Sequence, residues 1–298
     1  MEPGSAPGTL RFSLTTLYGS DFEGSHDSTS GALADGQPVE VPLYRHQVSL
    51  DFTRVELGLQ YTLSPQWDLL ARIPWEQKAQ HAGITFVDPA TPDERTAMQR
   101  DVDLHHRSVT LRGPGDLMLL GRRRWSGLTL SAGVTVPTGR TIDNPYLAGD
   151  RGEQHVHIQF GSGTVDPLLE ASYTRPVREH VDAGAYFSTR YPLYENRRTF
   201  RAAPDATLGL HTSWRATERV RLRAEGAVFA QGYGEWDGVR DENTGLLATS
   251  ISAGTTVRWG STALSVDVRY PLSQRTLTEG DAFTQGPTFV VSVSGALR

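Results

Sequence analysis

The 298-residue chain has nine histidines and no cysteine, so any metal or acid–base chemistry falls to imidazoles and carboxylates. Four histidines stand out by spacing. His155 and His157 flank Val156, an arrangement that points both rings the same way on an extended segment. His105 and His106 close another polar stretch, near Asp101 and Asp103. Imidazoles with carboxylates suit zinc, copper or nickel. The spacing matches no closed zinc site, and the competing reading is four solvated loop residues. The expectation is therefore no resident cofactor, with zinc or copper at His105, His106, His155 and His157 as the alternative.

Other chemistry finds little support. Gly161-Ser-Gly163 resembles a phosphate loop only superficially, because it precedes a strand pattern and supplies no helix N-terminus; it reads as a turn. No nucleophile elbow of the G-x-S-x-G kind occurs in strand–turn–helix context, and a non-enzyme is expected. The formal net charge of −5 argues against a nucleic-acid partner, which would favour a basic face. The lack of cysteine excludes disulfides and suits an envelope protein. The opening MEPGSAPG has no basic and apolar segment, so it is not itself a signal peptide; the expectation is that one has been removed and that residues 1–8 are disordered.

The elements that must position these residues are strands. In Thr53–Trp75, Val55, Leu57, Leu59, Tyr61 and Leu63 alternate with polar residues. Ser64-Pro65-Gln66 breaks the run, and Trp67, Leu69, Ala71, Ile73 and Trp75 alternate again. This is a hairpin pattern. Earlier in the same strand His46, Val48, Leu50 and Phe52 hold the other parity, and the switch at Arg54-Val55 predicts a β-bulge there. The pattern recurs along the chain and gives about twelve strands, with no helix-period segment. Links 2–3, 4–5, 6–7, 8–9 and 10–11 are short, while the others, including Gly19–Pro42 and the stretch from Trp75 to about Arg107, are long and polar. No run of about 18 apolar residues exists, so a spanning helix is excluded. An even strand number with short turns at one end and long loops at the other is the arrangement of an outer-membrane barrel. The expected fold is all-β: one antiparallel up-and-down transmembrane barrel over residues 9–298, with short periplasmic turns and long extracellular loops. A soluble barrel or sandwich binding module is the competing fold, since its exterior could carry the same polar parity.

In the membrane reading that polar parity faces the lumen. It carries Glu56, Asp68, Asp166, Glu170, Asp182, Glu225 and Asp267 against Arg72, Arg190, Arg215, Arg221, Arg223, Arg258 and Arg269, charges that can pair across strands. Trp67, Trp125, Trp214, Trp259 and Tyr173 lie beside short turns; Trp75, Tyr191 and Tyr270 lie toward the long loops. Two such belts match interfacial girdles.

ELGLQYTLSPQWDLLARIPW, Gly113-Pro-Gly-Asp116, Val136-Pro-Thr-Gly139 and Gly161-Ser-Gly-Thr-Val-Asp-Pro167 together resemble a broad group of bacterial outer-membrane "transporter" barrels. That group includes the barrel encoded with the meta-pathway of phenol degradation. The resemblance covers most of the chain from about Arg45 onward. It implies an outer-membrane location, with membrane lipid and the barrel-assembly machinery as partners, and passage of a small solute. The chain departs from the common terminal aromatic by ending Gly295-Ala-Leu-Arg298. The leading functional expectation is a porin- or transporter-like barrel that passes or binds a small solute; a surface metal-binding or receptor barrel using the loop histidines is the alternative.

Overall fold

The computed structural model describes residues 6–278 and 282–297. Among them twelve antiparallel strands close into one barrel. They are β1 (Leu10–Ala32), β2 (Pro38–Ser64), β3 (Trp67–Phe86), β4 (Val109–Pro114 and Leu117–Arg124), β5 (Leu128–Val136) and β6 (Pro167–Arg178). β7 (Val181–Arg190), β8 (Asp205–Arg215), β9 (Val220–Gln231), β10 (Leu246–Trp259), β11 (Thr262–Thr276) and β12 (Thr288–Leu297) follow. Each strand pairs with its sequence neighbours, and β1 also pairs with β12, from Leu10↔Leu297 to Gly19↔Thr288, so the sheet has no free edge there. Residues 1–5 of the expected disordered segment, and Arg298, lie outside the described residues; Gly8 N–H donates to the Thr62 carbonyl at 2.8 Å.

Period-2 alternation explains the faces. Leu57, Leu69, Leu169, Leu210, Ile251 and Val291 are exposed, whereas their polar neighbours face inward. The inward direction is fixed by a bond between strands that are not neighbours. Arg72 on β3 grips Glu170 on β6 at 2.6 and 2.9 Å, although β4 and β5 lie between them in the sheet. Only a path through the lumen makes that contact. The outward face is therefore apolar, as a bilayer requires. Among the described residues no helix is long and apolar enough to cross a membrane, and the strands have that role in a barrel.

Three expectations are corrected. The stretch Gly19–Pro42 is not a long loop: β1 and β2 stay paired to Ala32↔Pro38, with register shifts at Gly19/Phe22 and Ser28/Ser30 and a tight reversal in which Leu33 N–H donates to the Gln37 carbonyl. β3 likewise continues to Phe86. A strand needs only about 9–11 residues to span a bilayer, so these strands of 23, 27 and 20 residues stand well beyond it. Beyond the lipid the outward positions turn polar, as at Gln47, Ser49 and Asp51 of β2, so the outward apolar stripe ends there. Nor is the chain free of helices. α1 (Pro92–His105) starts in a full capping box between Thr91 and Glu94, with Pro92 in its first turn. Its Ala97, Met98 and Val102 pack on Val41 and Tyr44. A short helix, α2 (Pro145–Asp150), follows in the next long loop. Finally, the predicted bulge at Arg54-Val55 is absent, because β2 and β3 pair without interruption through Arg54↔Glu76 and Val55↔Trp75. The bulge sits on β1, between Gly19 and Phe22, where Asp21 takes a positive φ of 58°.

The lipid-facing assignment predicts that Leu210→Arg, which replaces the 66% exposed residue near the middle of β8, costs about 2–4 kcal/mol in urea unfolding from lipid vesicles. A change under about 0.5 kcal/mol would place that face in water.

Candidate functional site

The lumen has three levels. Toward the short turns it is charged. Arg124 meets the fully buried Asp68 at 3.1 Å, and the Thr62 hydroxyl donates to the same carboxylate oxygen at 3.0 Å. Arg221 pairs with Asp182 at 2.9 Å; Arg190 and Asp205 also pair at 2.9 Å, but at the long-loop ends of β7 and β8. Glu225 collects the Tyr186 hydroxyl at 2.6 Å, Arg223 at 2.8 Å and Arg269 at 3.7 Å, while Asp267 stands 3.8 Å from Arg223. Glycine makes room for these groups. A β-carbon at Gly254 would collide with the Asp267 carboxylate, and one at Gly209 with the Tyr186 ring.

The charged residues expected in the lumen thus stand on the inward parity. Arg215 and Arg258 lie at the short-turn rim, where both are exposed. Asp166, just before β6, is buried beneath the long loops and accepts from Thr164 Oγ1 at 2.5 Å. Sequence reading missed Arg54, Glu76, Lys78, Arg124, Tyr186 and Asp205. Tyr186 stands within β7 on the parity of Asp182 and Arg190, and the same parity carried further along the strands reaches the others. The eight expected interface aromatics, Trp67, Trp75, Trp125, Tyr173, Tyr191, Trp214, Trp259 and Tyr270, are all exposed. Trp67 and Trp75 lie eight residues apart on β3, about 20 Å along the axis of a tilted strand, close to the height of an apolar band.

At mid-height a ladder of charge crosses the wall: Arg54 binds Glu56 at 2.6 Å and Glu76 at 3.4 Å, and Glu76 binds Lys78 at 3.1 Å. Above it the inward parity turns apolar. Leu17, Phe22, Leu50, Phe52, Phe229 and Pro271 line a cavity of about 460 Å³, with the Phe22 and Phe52 rings edge to face at 5.0 Å. This is the physical meaning of the parity switch at Arg54: the strand does not slip, but the apolar face passes from lipid to lumen. A second cavity of about 510 Å³ shares Arg54, Glu76 and Lys78 with the first and is bounded by Phe160 and Trp236.

The long loop between β5 and β6 folds over this region. Asp116 holds it, accepting from Gly139 N–H at 2.9 Å, Ser162 N–H at 2.8 Å and the Ser162 hydroxyl at 3.1 Å. Thr138 Oγ1 donates to the Gly115 carbonyl at 2.8 Å and accepts from Leu117 N–H at 3.0 Å. The three Gly-containing motifs of the sequence thus meet in one knot.

That knot carries the histidines to the mouth. His105, which ends α1, and His155 of the loop bond at 3.1 Å through Nδ1 and Nε2. His106 lies 6.1 Å from His157 between ring centres. The two sequence segments therefore converge, but two histidines not singled out join them. His26 and His46 are directly opposite on β1 and β2, and their rings lie 4.7 Å apart. Burial and the neighbouring imidazoles of His46, His157, His26 and His105 push His106 down to about 3; burial and His155 push His157 down to about 4. Both rings are neutral at physiological pH. Burial alone would raise Asp101, but hydrogen bonds from His105, His46 and Tyr44 hold it below the usual carboxylate range.

No family model and no curated protein matches the chain. Among solved structures it is similar to an outer membrane channel from Pseudomonas putida F1, at 12% identity and TM-score 0.62, over 99% of this chain and 98% of that one. Looser likenesses are to the toluene transporter TodX of Pseudomonas putida (10% identity, TM-score 0.49, 98% and 91% covered) and to a FadL homologue of Pseudomonas aeruginosa (10%, 0.48, 96% and 90%). The first likeness shows the fold, that of an outer-membrane barrel.

A double-mutant cycle on Arg72→Ala and Glu170→Ala, read by urea unfolding, should give a coupling of about 1–2 kcal/mol for this charged, bidentate and part-buried pair. A coupling below about 0.3 kcal/mol would mean that the two side chains do not meet.

Proposed function

We propose that the chain is a bacterial outer-membrane channel that admits a small, largely apolar solute through the long-loop mouth. The solute rests in the phenylalanine-lined cavity above the Arg54–Glu76–Lys78 ladder. The observation that carries this reading is an apolar chamber inside a barrel whose outside is also apolar. A water-filled pore has no use for half-buried phenylalanines turned into its lumen, whereas ligand sites are typically concave, mostly apolar and about 300–1,000 Å³ in volume. Charges below the chamber meet partners of opposite sign, as in Arg221–Asp182 and Arg223–Glu225, and narrow the path. No covalent chemistry is part of this proposal, and the only partners it requires besides solute are outer-membrane lipids and the barrel-assembly machinery that would insert the strands.

The test is uptake of a labelled monoaromatic hydrocarbon and of arabinose by cells lacking their general porins, with and without this chain. Expression should raise hydrocarbon uptake several-fold over arabinose. Phe52→Asp with Phe229→Asp, which puts unpaired carboxylates in the chamber wall, should remove at least two thirds of that gain while heat-modifiable gel migration persists. Hydrocarbon uptake unchanged by expression, or a preference for arabinose, would end the apolar-solute reading.

A further inference from the structure

The histidines of the mouth fall into two groups of different chemistry. His105 and His155 use ring nitrogens on each other, and His155 Nδ1 bonds the Glu153 carbonyl at 2.9 Å while His105 Nε2 lies 3.3 Å from Asp101. His26, His46 and His106 instead each offer one ring nitrogen to a shared point, the three atoms lying within 4.8 Å of one another.

The hydrogen bonds around His46 fix which of its nitrogens is offered. Tyr44 has a single hydroxyl proton, and its two acceptors, the Asp101 carboxylate at 2.8 Å and the Ser30 carbonyl at 2.6 Å, cannot donate. The Tyr44 oxygen, 2.8 Å from His46 Nε2, therefore accepts the Nε2 proton, with Asp101 Oδ2 a further 3.3 Å acceptor. Neutral His46 is left with a lone pair on Nδ1. That residue is 2% exposed, and its Nδ1 has no hydrogen-bond partner. A buried lone pair without a donor is unfavourable unless an electron-poor species completes it. His46 further has an arrangement typical of a metal-ligating histidine, the outer nitrogen held by the Tyr44 hydroxyl with the Asp101 carboxylate behind it.

We propose that His26, His46 and His106 form a mononuclear site for a divalent transition-metal ion of the zinc, copper or nickel class, which imidazole donors favour. The ligands arrive from three elements: facing positions on β1 and β2, and the residue that caps α1. α1 is seated by Met98 and Val102 against Tyr44, so the packing that builds the loop also presents His106. A tetrahedral ion about 2.0–2.1 Å from each nitrogen brings its ligands to roughly 3.4 Å apart, within reach of modest ring rotations. The fourth position opens into a cavity of about 290 Å³ that His157 also lines. His157 Nδ1 is a second buried ring nitrogen without a hydrogen-bond partner. Asp101 acts as a positioning residue through His46. The site is independent of the solute reading above, since it would exist in a closed barrel as well as in an open one.

The test is calorimetric titration of Zn²⁺ into the full, metal-stripped chain in detergent, purified without a polyhistidine tag. One equivalent should bind in the wild type. His26→Ala, His46→Ala and His106→Ala should each weaken it at least tenfold, and Asp101→Asn roughly tenfold. His81→Ala, outside the mouth cluster, should stay within threefold. Folding is checked by heat-modifiable migration; if His46→Ala fails that check, His26→Ala at a less buried position decides between the outcomes. No binding by the wild type below about 100 µM Zn²⁺, or binding undiminished in His26→Ala and His106→Ala, would overturn the proposal.

Discussion

Hydrocarbon offers no partner to a backbone N–H or C=O, and that constraint organises this chain more than any single contact. It is why β1 must pair with β12 as well as β2, and why the spanning parts of the strands keep strict alternation. It also keeps charge off the middle of the outer face; Arg123, at the short-turn rim, stacks on the exposed Trp67 and Trp125. Charges on the inside must find each other across the lumen, as Arg72 and Glu170 do over two intervening strands. Where the constraint ends, above the bilayer, β1, β2 and β3 keep their ladder but lose their apolar stripe, and a helix can dock on them.

The inside is not uniform because two needs compete in it. A wide polar lumen would fill with water; a wholly apolar one would leave nothing to hold opposite walls in register. The chain separates the two by height. Most paired charges occupy the short-turn half, with Arg190–Asp205 at the long-loop ends of its strands; phenylalanines and leucines line the half above Arg54, and imidazoles the mouth. The boundary falls at a ladder of four charged side chains in direct contact. A solute moving downward therefore goes from an environment resembling a protein core to one resembling a salt-bridged surface.

Strand count, turn polarity, the outward girdle positions and the inward charges follow from alternation alone, because each depends on one residue's parity. The rest depends on partners far away in sequence. His26 and His46 are apart in sequence, and only the hairpin register sets them face to face; read singly, His46 is one more residue on a strand. The Arg54 switch is visible in the sequence, yet parity cannot distinguish a slipped strand from an exchange of environments. α1 is a different case. Thr91-Pro92-Asp93-Glu94 carries a complete helix start, but the polar surroundings hide the short apolar set Ala97, Met98 and Val102 that gives the helix a buried side.

The Asp116 knot has a consequence for time. Its carboxylate ties backbone 23 and 46 residues away by bonds that are short, buried and charge-assisted. A hinged swing of this loop would have to break those bonds, whereas exposed side chains rotate in picoseconds to nanoseconds. The mouth is thus a fixed aperture with fast-moving lining. Solutes meeting it are sorted by collision and fit rather than by waiting for the protein to open.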